Sequence, residues 1–100
     1  DNDELVLPTA YRLEQNYPNP FNPSTTISFT IPENDMVQLE IYNINGQLVK
    51  TLMTGNKEAG SHSVNWDATN NKGVKVSSGI YFYRLKTDNF VQAKKLLLLK

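Results

Sequence analysis

Thr25-Thr26-Ile27-Ser28-Phe29-Thr30-Ile31, then Pro32-Glu33-Asn34-Asp35, then Met36-Val37-Gln38-Leu39-Glu40-Ile41-Tyr42 is the stretch on which the fold turns. Ile27, Phe29 and Ile31 fall on one parity, with Thr26, Ser28 and Thr30 on the other. After the break, Val37, Leu39 and Ile41 alternate with Gln38, Glu40 and Tyr42. A period of two places alternate side chains on opposite faces of an extended chain, so each run predicts a half-buried strand. Pro32 to Asp35 is turn chemistry between them.

The same pattern extends in both directions. Asn45-Gly46 is a hairpin signal, because both residues tolerate the positive φ of a type I′ turn. The return strand is expected from about Gln47 to Met53, with its inward face ambiguous because both parities carry apolar residues. Gly55 to Gly60 reads as a loop. His62, Val64 and Trp66 then alternate with Ser61, Ser63 and Asn65. Asp67 to Ser78 reads as a longer loop rich in Asn, Lys and Gly. In the strand Gly79 to Thr87, Arg84 and Lys86 mark the outward parity, so Tyr81, Tyr83 and Leu85 are expected to point in. Asp88-Asn89 makes a two-residue turn. Phe90 to Leu99 is the last strand, and its run Leu96-Leu97-Leu98-Leu99 predicts cover on both faces near its end.

Upstream, Tyr17-Pro18-Asn19-Pro20-Phe21-Asn22-Pro23-Ser24 carries three prolines. Each fixes φ and biases the preceding residue away from the helical region, so the segment is stiff, extended and turning. Proline has no ladder donor, so this is no central strand. Residues 1–12 are expected to be linker or weak edge strand, with a short first strand somewhere in Tyr11 to Gln15. The domain proper is residues 13–100. Six good strands and one weak one, with turns at roughly 8–12 residue spacing, predict an all-β immunoglobulin-like antiparallel β-sandwich. A single sheet would leave apolar faces wet, so two must stack.

Composition narrows the function. One hundred residues make one domain, able to bury somewhat over ~60% of its unfolded surface but not to enclose a deep active site. Ten basic and ten acidic residues cancel, which gives no electrostatic reason for nucleic acid or an anionic membrane as partner. Without cysteine there is no disulfide, thiolate metal site or thiol nucleophile. Asp1-Asn2-Asp3-Glu4 is the opposite of a signal peptide's basic start. Leu96 to Leu99 is far short of the ~20 residues that span a bilayer. The chain reads as an excised piece of a longer protein.

At Leu13-Glu14-Gln15-Asn16-Tyr17-Pro18-Asn19-Pro20-Phe21-Asn22-Pro23-Ser24-Thr25-Thr26-Ile27 the chain resembles the opening of the type IX secretion C-terminal sorting domain, also called the Por secretion system sorting domain. It is also similar to the immunoglobulin-like domain of the flagellar hook-capping protein. Ile41-Tyr42-Asn43 before Gly46-Gln47, Ala59-Gly60 with His62 and Trp66-Asp67, Ser78 to Leu85, and the tail Lys94 to Lys100 agree with it. The resemblance implies a C-terminal module on an upstream cargo domain that has reached the periplasm. Outer-membrane secretion machinery reads it, and in some members a sortase-like protease removes it and anchors the cargo at the cell surface. Carried over, the recognition residues are Pro18, Asn19, Pro20, Gly79, Tyr81, Lys94, Lys95, Leu96, Leu97, Leu98, Leu99 and Lys100.

Each of these has a plain structural reading beside the functional one. The proline segment is a docking surface or a rigid lead into the first full strand. Gly79 and Tyr81 are read by the machinery, or they serve a tight strand start and core packing. The lysines blunt an exposed edge, or that edge pairs with a receptor strand, and an uncovered last strand could also allow weak dimers. His62 shares parity with Val64 and Trp66 and lacks a triad spacing, so no enzyme activity and no cofactor are expected. Asp67, Asn70 and Asn71 before Gly73 could hold a hard cation, but they lack the EF-hand pattern and read better as turn formers. Trp66, Tyr42, Tyr81 and Tyr83 could form a sugar platform, so the alternative function is a non-catalytic carbohydrate-binding or structural spacer module of a secreted multidomain enzyme.

Overall fold

The computed structural model describes residues 10–99. Residues 1–9 and Lys100, on which the linker and tail expectations partly fall, lie outside the described residues. Seven strands occur among the described residues: β1 Arg12–Leu13, β2 Thr25–Ile31, β3 Asp35–Asn43, β4 Leu48–Lys57, β5 Gly60–Trp66, β6 Gly79–Thr87 and β7 Val91–Leu98. They form two antiparallel sheets, ordered β1-β2-β5 and β4-β3-β6-β7. The architecture is the immunoglobulin-like sandwich that the alternation predicts.

The core follows the parity of the sequence. Ile27, Phe29 and Ile31 of β2 face Val37, Leu39 and Ile41 of β3 and Tyr83 and Leu85 of β6, all fully buried. Burying one such side chain is worth ~1.5–3 kcal/mol. Trp66, at the end of β5, lies between Phe21 (5.6 Å between ring centroids) and Tyr81 (5.5 Å, edge-on). Its indole N–H donates to the Thr69 carbonyl at 2.8 Å.

Several local expectations need correction. The β3–β4 connection is not a two-residue type I′ turn. The Gly46 N–H donates to the Asn43 carbonyl, so Ile44 and Asn45 are the central residues, and of the two expected positive φ values only that of Gly46 occurs, at +79°. β4 runs on to Lys57, so Gly55 sits within the strand opposite Val37. The ambiguous parity of β4 has a physical cause: its register against β3 shifts between Leu39 and Glu40 and again between Ile41 and Tyr42. A bulge changes which parity faces inward, and Val49, Leu52 and Met53 all pack against the core. The Leu96–Leu99 run is not covered on both faces. Leu96 and Leu98 are buried, Leu97 is half-buried and Leu99 is exposed. β1 is only two residues long, with one further hydrogen bond from the Glu14 N–H to the Ser28 carbonyl.

One end of the sandwich carries a polar latch that holds the start of β1. The Tyr11 hydroxyl donates to Asp35 Oδ2 at 2.6 Å, and Asn89 Nδ2 donates to the same oxygen at 3.2 Å. The Tyr11 ring stacks on Phe90 with centroids 5.1 Å apart. These bonds, Tyr11's foremost, hold the Asp35 carboxyl below its ordinary value of 3.8. A depressed folded value stabilises in full above the unfolded value, and the contribution is lost as pH falls through the folded one. Urea midpoints followed from about pH 6 to about pH 2 are therefore expected to fall less steeply in Asp35→Asn than in the parent. Parallel curves would show that the latch carries no such linkage.

Candidate functional site

Of the expected recognition residues, Pro18–Pro20, Gly79, Tyr81 and Lys95–Leu99 meet at the opposite end of the sandwich, Lys94 lies further along β7 opposite Tyr83, and Lys100 is outside the described residues. Residues 14–21 leave β1, cross the open side between the sheets and lie along the outer edge of β7. Phe21 forms a parallel bridge there: its N–H donates to the Leu97 carbonyl, and its own carbonyl accepts from the Leu99 N–H, both at 3.0 Å. Asn19 Oδ1 accepts from the Leu97 N–H at 3.0 Å, and Gln15 Nε2 donates to the Lys95 carbonyl at 2.9 Å. A proline-rich segment cannot supply a full ladder, so side-chain amides replace the missing backbone partners. The edge from Lys95 to Leu99 is therefore occupied by the chain itself. The expectation that this part of the last strand lies open to a receptor strand or a second copy is overturned. Among the described residues, no segment pairs with the outer edge of β7 near its start, at Val91 and Ala93.

The strap is held from beneath by buried polar groups. Asn16, 2% exposed, donates through Nδ2 to Thr25 Oγ1 at 3.0 Å and to the Pro18 carbonyl at 3.2 Å. Thr25 Oγ1 donates to the same carbonyl at 2.8 Å. The Tyr83 hydroxyl accepts from the Asn16 N–H at 2.9 Å and donates to the Glu14 carbonyl at 2.6 Å. Burial pushes this phenol up to about 12. Asn16, Gln15 and Phe21 were not among the sequence candidates, and Tyr83 was one only for the sugar platform. The readable signal was Tyr83, an inward tyrosine whose hydroxyl must find a partner.

Tyr83→Phe leaves two backbone groups without their partner, at an expected cost of about 1–3 kcal/mol. Tyr83's raised value stabilises below pH 10 and is lost as pH rises towards about 12. The variant should show a lower urea midpoint, a shallower alkaline decline and faster hydrogen exchange at the Asn16 amide. An unchanged midpoint would mean that the strap is not clamped by this phenol.

Gly79 and Tyr81 serve the same end of the fold. Gly79 pairs with Leu98 and has φ +144°, a conformation that side-chain-bearing residues rarely adopt. Tyr81 pairs with Leu96, is 6% exposed and donates its hydroxyl to the Ser77 carbonyl at 2.5 Å. Both therefore have structural work, and Leu96 and Leu98 are core. What the surface presents at this end is Pro18, Asn19, Pro20, Lys95 and Leu99, with Ile80 beside them and Lys94 and Leu97 half-buried. A shallow groove of about 240 Å³ is lined by Asn19, Pro20, Ile80, Lys95, Leu96 and Leu97.

Two other candidates resolve otherwise. The sugar platform does not form, because Trp66, Tyr81 and Tyr83 are buried and only Tyr42 is partly accessible. In the Asp67–Ser78 loop, Asn70 Oδ1 accepts from the Lys72 and Val74 N–H groups, and Asn71 Oδ1 accepts from the Thr51 N–H on the edge of β4. Their oxygens shape the turn and tie it to the sheet. His62 stacks on Phe29 at 5.3 Å and donates from Nε2 to the Glu58 carbonyl at 2.7 Å, so it is a rim residue.

The family model for the FlgD Ig-like domain matches residues 19–89. No curated protein sequence matches the chain. Among solved structures, dimeric latent PorU from Porphyromonas gingivalis is similar over 94% of this chain and 10% of its own, at 24% identity and a TM-score of 0.71. PorZ of the same organism, an essential surface component of the type IX secretion system, is similar over 86% of this chain and 11% of its own, at 19% identity and a TM-score of 0.60. FlgD from Xanthomonas campestris, a hook-capping protein of flagellar assembly, is similar over 91% and 63%, at 25% identity and a TM-score of 0.59. The chain thus spans about a tenth of the two Porphyromonas proteins.

Proposed function

Because this chain belongs to the FlgD Ig-like domain family, we propose that it is the C-terminal secretion and sorting module of a larger exported bacterial protein, read at the cell envelope by protein–protein recognition. The observation that carries this reading is the convergence of Pro18–Pro20 with Gly79, Tyr81 and Lys95–Leu99 at one end of the sandwich. When the chain folds, the exposed members of these motifs, Pro18, Asn19, Pro20, Lys95 and Leu99, lie at that one end, over the buried Tyr81, Leu96 and Leu98. The fold likeness to PorU and to PorZ, itself a surface component of the type IX system, supports the same setting. On this reading the domain performs no chemistry. The upstream cargo supplies the activity and the secretion machinery is the partner. The destination is the cell surface, after passage through the periplasm, and a sortase-like protease acts afterwards where the module is removed.

A reporter joined upstream of residues 10–100, in a bacterium with a type IX system, tests it. Surface delivery should require the folded tail and fail with a core-disrupted one such as Phe29→Asp. Delivery of the reporter without any tail would favour the spacer reading, which the likeness to flagellar FlgD also accommodates.

A further inference from the structure

We infer that the outer face of the β6–β7 hairpin is a docking surface for a protein partner whose contact surface sets carboxylates among apolar side chains. The inference rests on the protein-recognition reading above and names the surface used. The two outer faces of this sandwich differ in kind. That of β2 and β5 presents Thr26, Ser28, Thr30, Ser61, Ser63 and Asn65, all small and polar, with the larger Arg12 and Tyr17 at its margin opposite Thr30 and Thr26. That of β6 and β7 presents Ile80 at 43% exposure, Phe82 at 37% and Val91 at 61%, with half-buried Leu97 between strap and strand. Ile80, Phe82 and Leu97 adjoin across the register, while Val91 stands at the far end of the hairpin opposite Lys86. Clustered exposed apolar side chains of this kind mark contact sites, where scattered single ones do not.

The register sets bases among these groups. Ile80 lies opposite Leu97, Phe82 opposite Lys95, Arg84 opposite Ala93 and Lys86 opposite Val91. Neither β6 nor β7 contains an Asp or Glu, and the hairpin's one acid is Asp88 in the connecting turn, at the end away from Lys95. The acid that β3 brings to this face, Glu40, is buried against Arg84 Nη2 at 3.3 Å and the Tyr42 hydroxyl at 2.5 Å, so it is already matched. Lys86 and Lys95 form no ion pair with any described residue. On a chain of zero formal charge, this face is locally basic. Charge complementarity then selects an acidic partner, and desolvated apolar contacts with a basic rim are what such an interface requires. Two shallow grooves give the partner's side chains relief to fit: the one beside Pro20, and another of about 350 Å³ between Tyr42, Ile44, Phe82 and Ala93.

The test is photo-crosslinking in the native type of host, with a benzophenone amino acid at Phe82 on one face or at Ser63 on the other, in the reporter fusion. A discrete protein adduct is expected from position 82 and not from 63. Lys95→Glu should reduce it at least about fivefold while leaving the urea midpoint unchanged, and the crosslinked peptide should contain Asp or Glu beside apolar residues. No adduct at 82, equal adducts at both positions, a lipid adduct, or insensitivity to Lys95→Glu would each overturn the inference. Reporter delivery is scored separately. Adduct without delivery sinks the sorting reading and keeps the surface, whereas delivery without adduct does the reverse.

Discussion

Trp66→Ala is expected to lower the stability of the domain by about 3–5 kcal/mol, the cost of deleting a large buried aromatic. Trp66 is fully buried and bridges the strap, through Phe21, to β6, through Tyr81. Its indole N–H also satisfies the Thr69 carbonyl, which would be left without that donor. A domain of this size holds only about 5–15 kcal/mol in total. The melting temperature should therefore drop by more than about 12 °C, read by far-ultraviolet circular dichroism because the fluorophore itself is gone. Phe82→Ala, on the exposed outer face, should change stability far less. Similar losses for the two would mean that Trp66 does not join the two sheets as described.

Removing residues 96–100 is expected to abolish cooperative folding. Leu96 and Leu98 are 0% and 1% exposed, and each truncation of a buried leucine costs about 2–5 kcal/mol. The deletion also removes the Leu97 and Leu99 backbone partners of Phe21 and Asn19, so the strap loses its seat. The truncated chain should show no unfolding transition in urea, whereas Leu97→Ser should keep one. A cooperative transition in the truncated chain would place the fold's stability elsewhere. The consequence for function is direct: loss of export on deleting the tail would not by itself identify the tail as what the machinery touches. Point changes at Lys95 or Pro20 separate contact from folding, because those side chains are exposed.

Alternation made most of the strands legible. Ile27, Phe29 and Ile31 could face only one way once Thr26, Ser28 and Thr30 were polar, and Arg84 and Lys86 set the parity of Tyr81, Tyr83 and Leu85 despite the apolar Ile80 and Phe82. β4 was not legible because two register shifts against β3 break its period, and no local signal marks a bulge that depends on the partner strand. The Asn45-Gly46 turn was placed correctly but assigned the wrong type. Turn residues permit a conformation, whereas strand twist and loop length choose it. Of the residues named for recognition, Pro18–Pro20, Gly79, Tyr81 and Lys95–Leu99 come together at one end of the sandwich. Which of Leu96 to Leu99 are core was hidden, since an unbroken run of leucines carries no parity signal, and only Leu96 and Leu98 turn out to be buried.

The sequence by itself determined the class of fold and the absence of thiol chemistry, because side-chain parity and residue type are local properties. Only the tertiary structure decided that the proline segment seals the edge of β7, that Tyr83 and Asn16 hold it there, and that the two outer faces differ. Those facts depend on groups far apart in the chain meeting in space. Hydrogen bonds from Gln15 to Lys95 and from Leu97 to Asn19 leave no periodic trace in either segment.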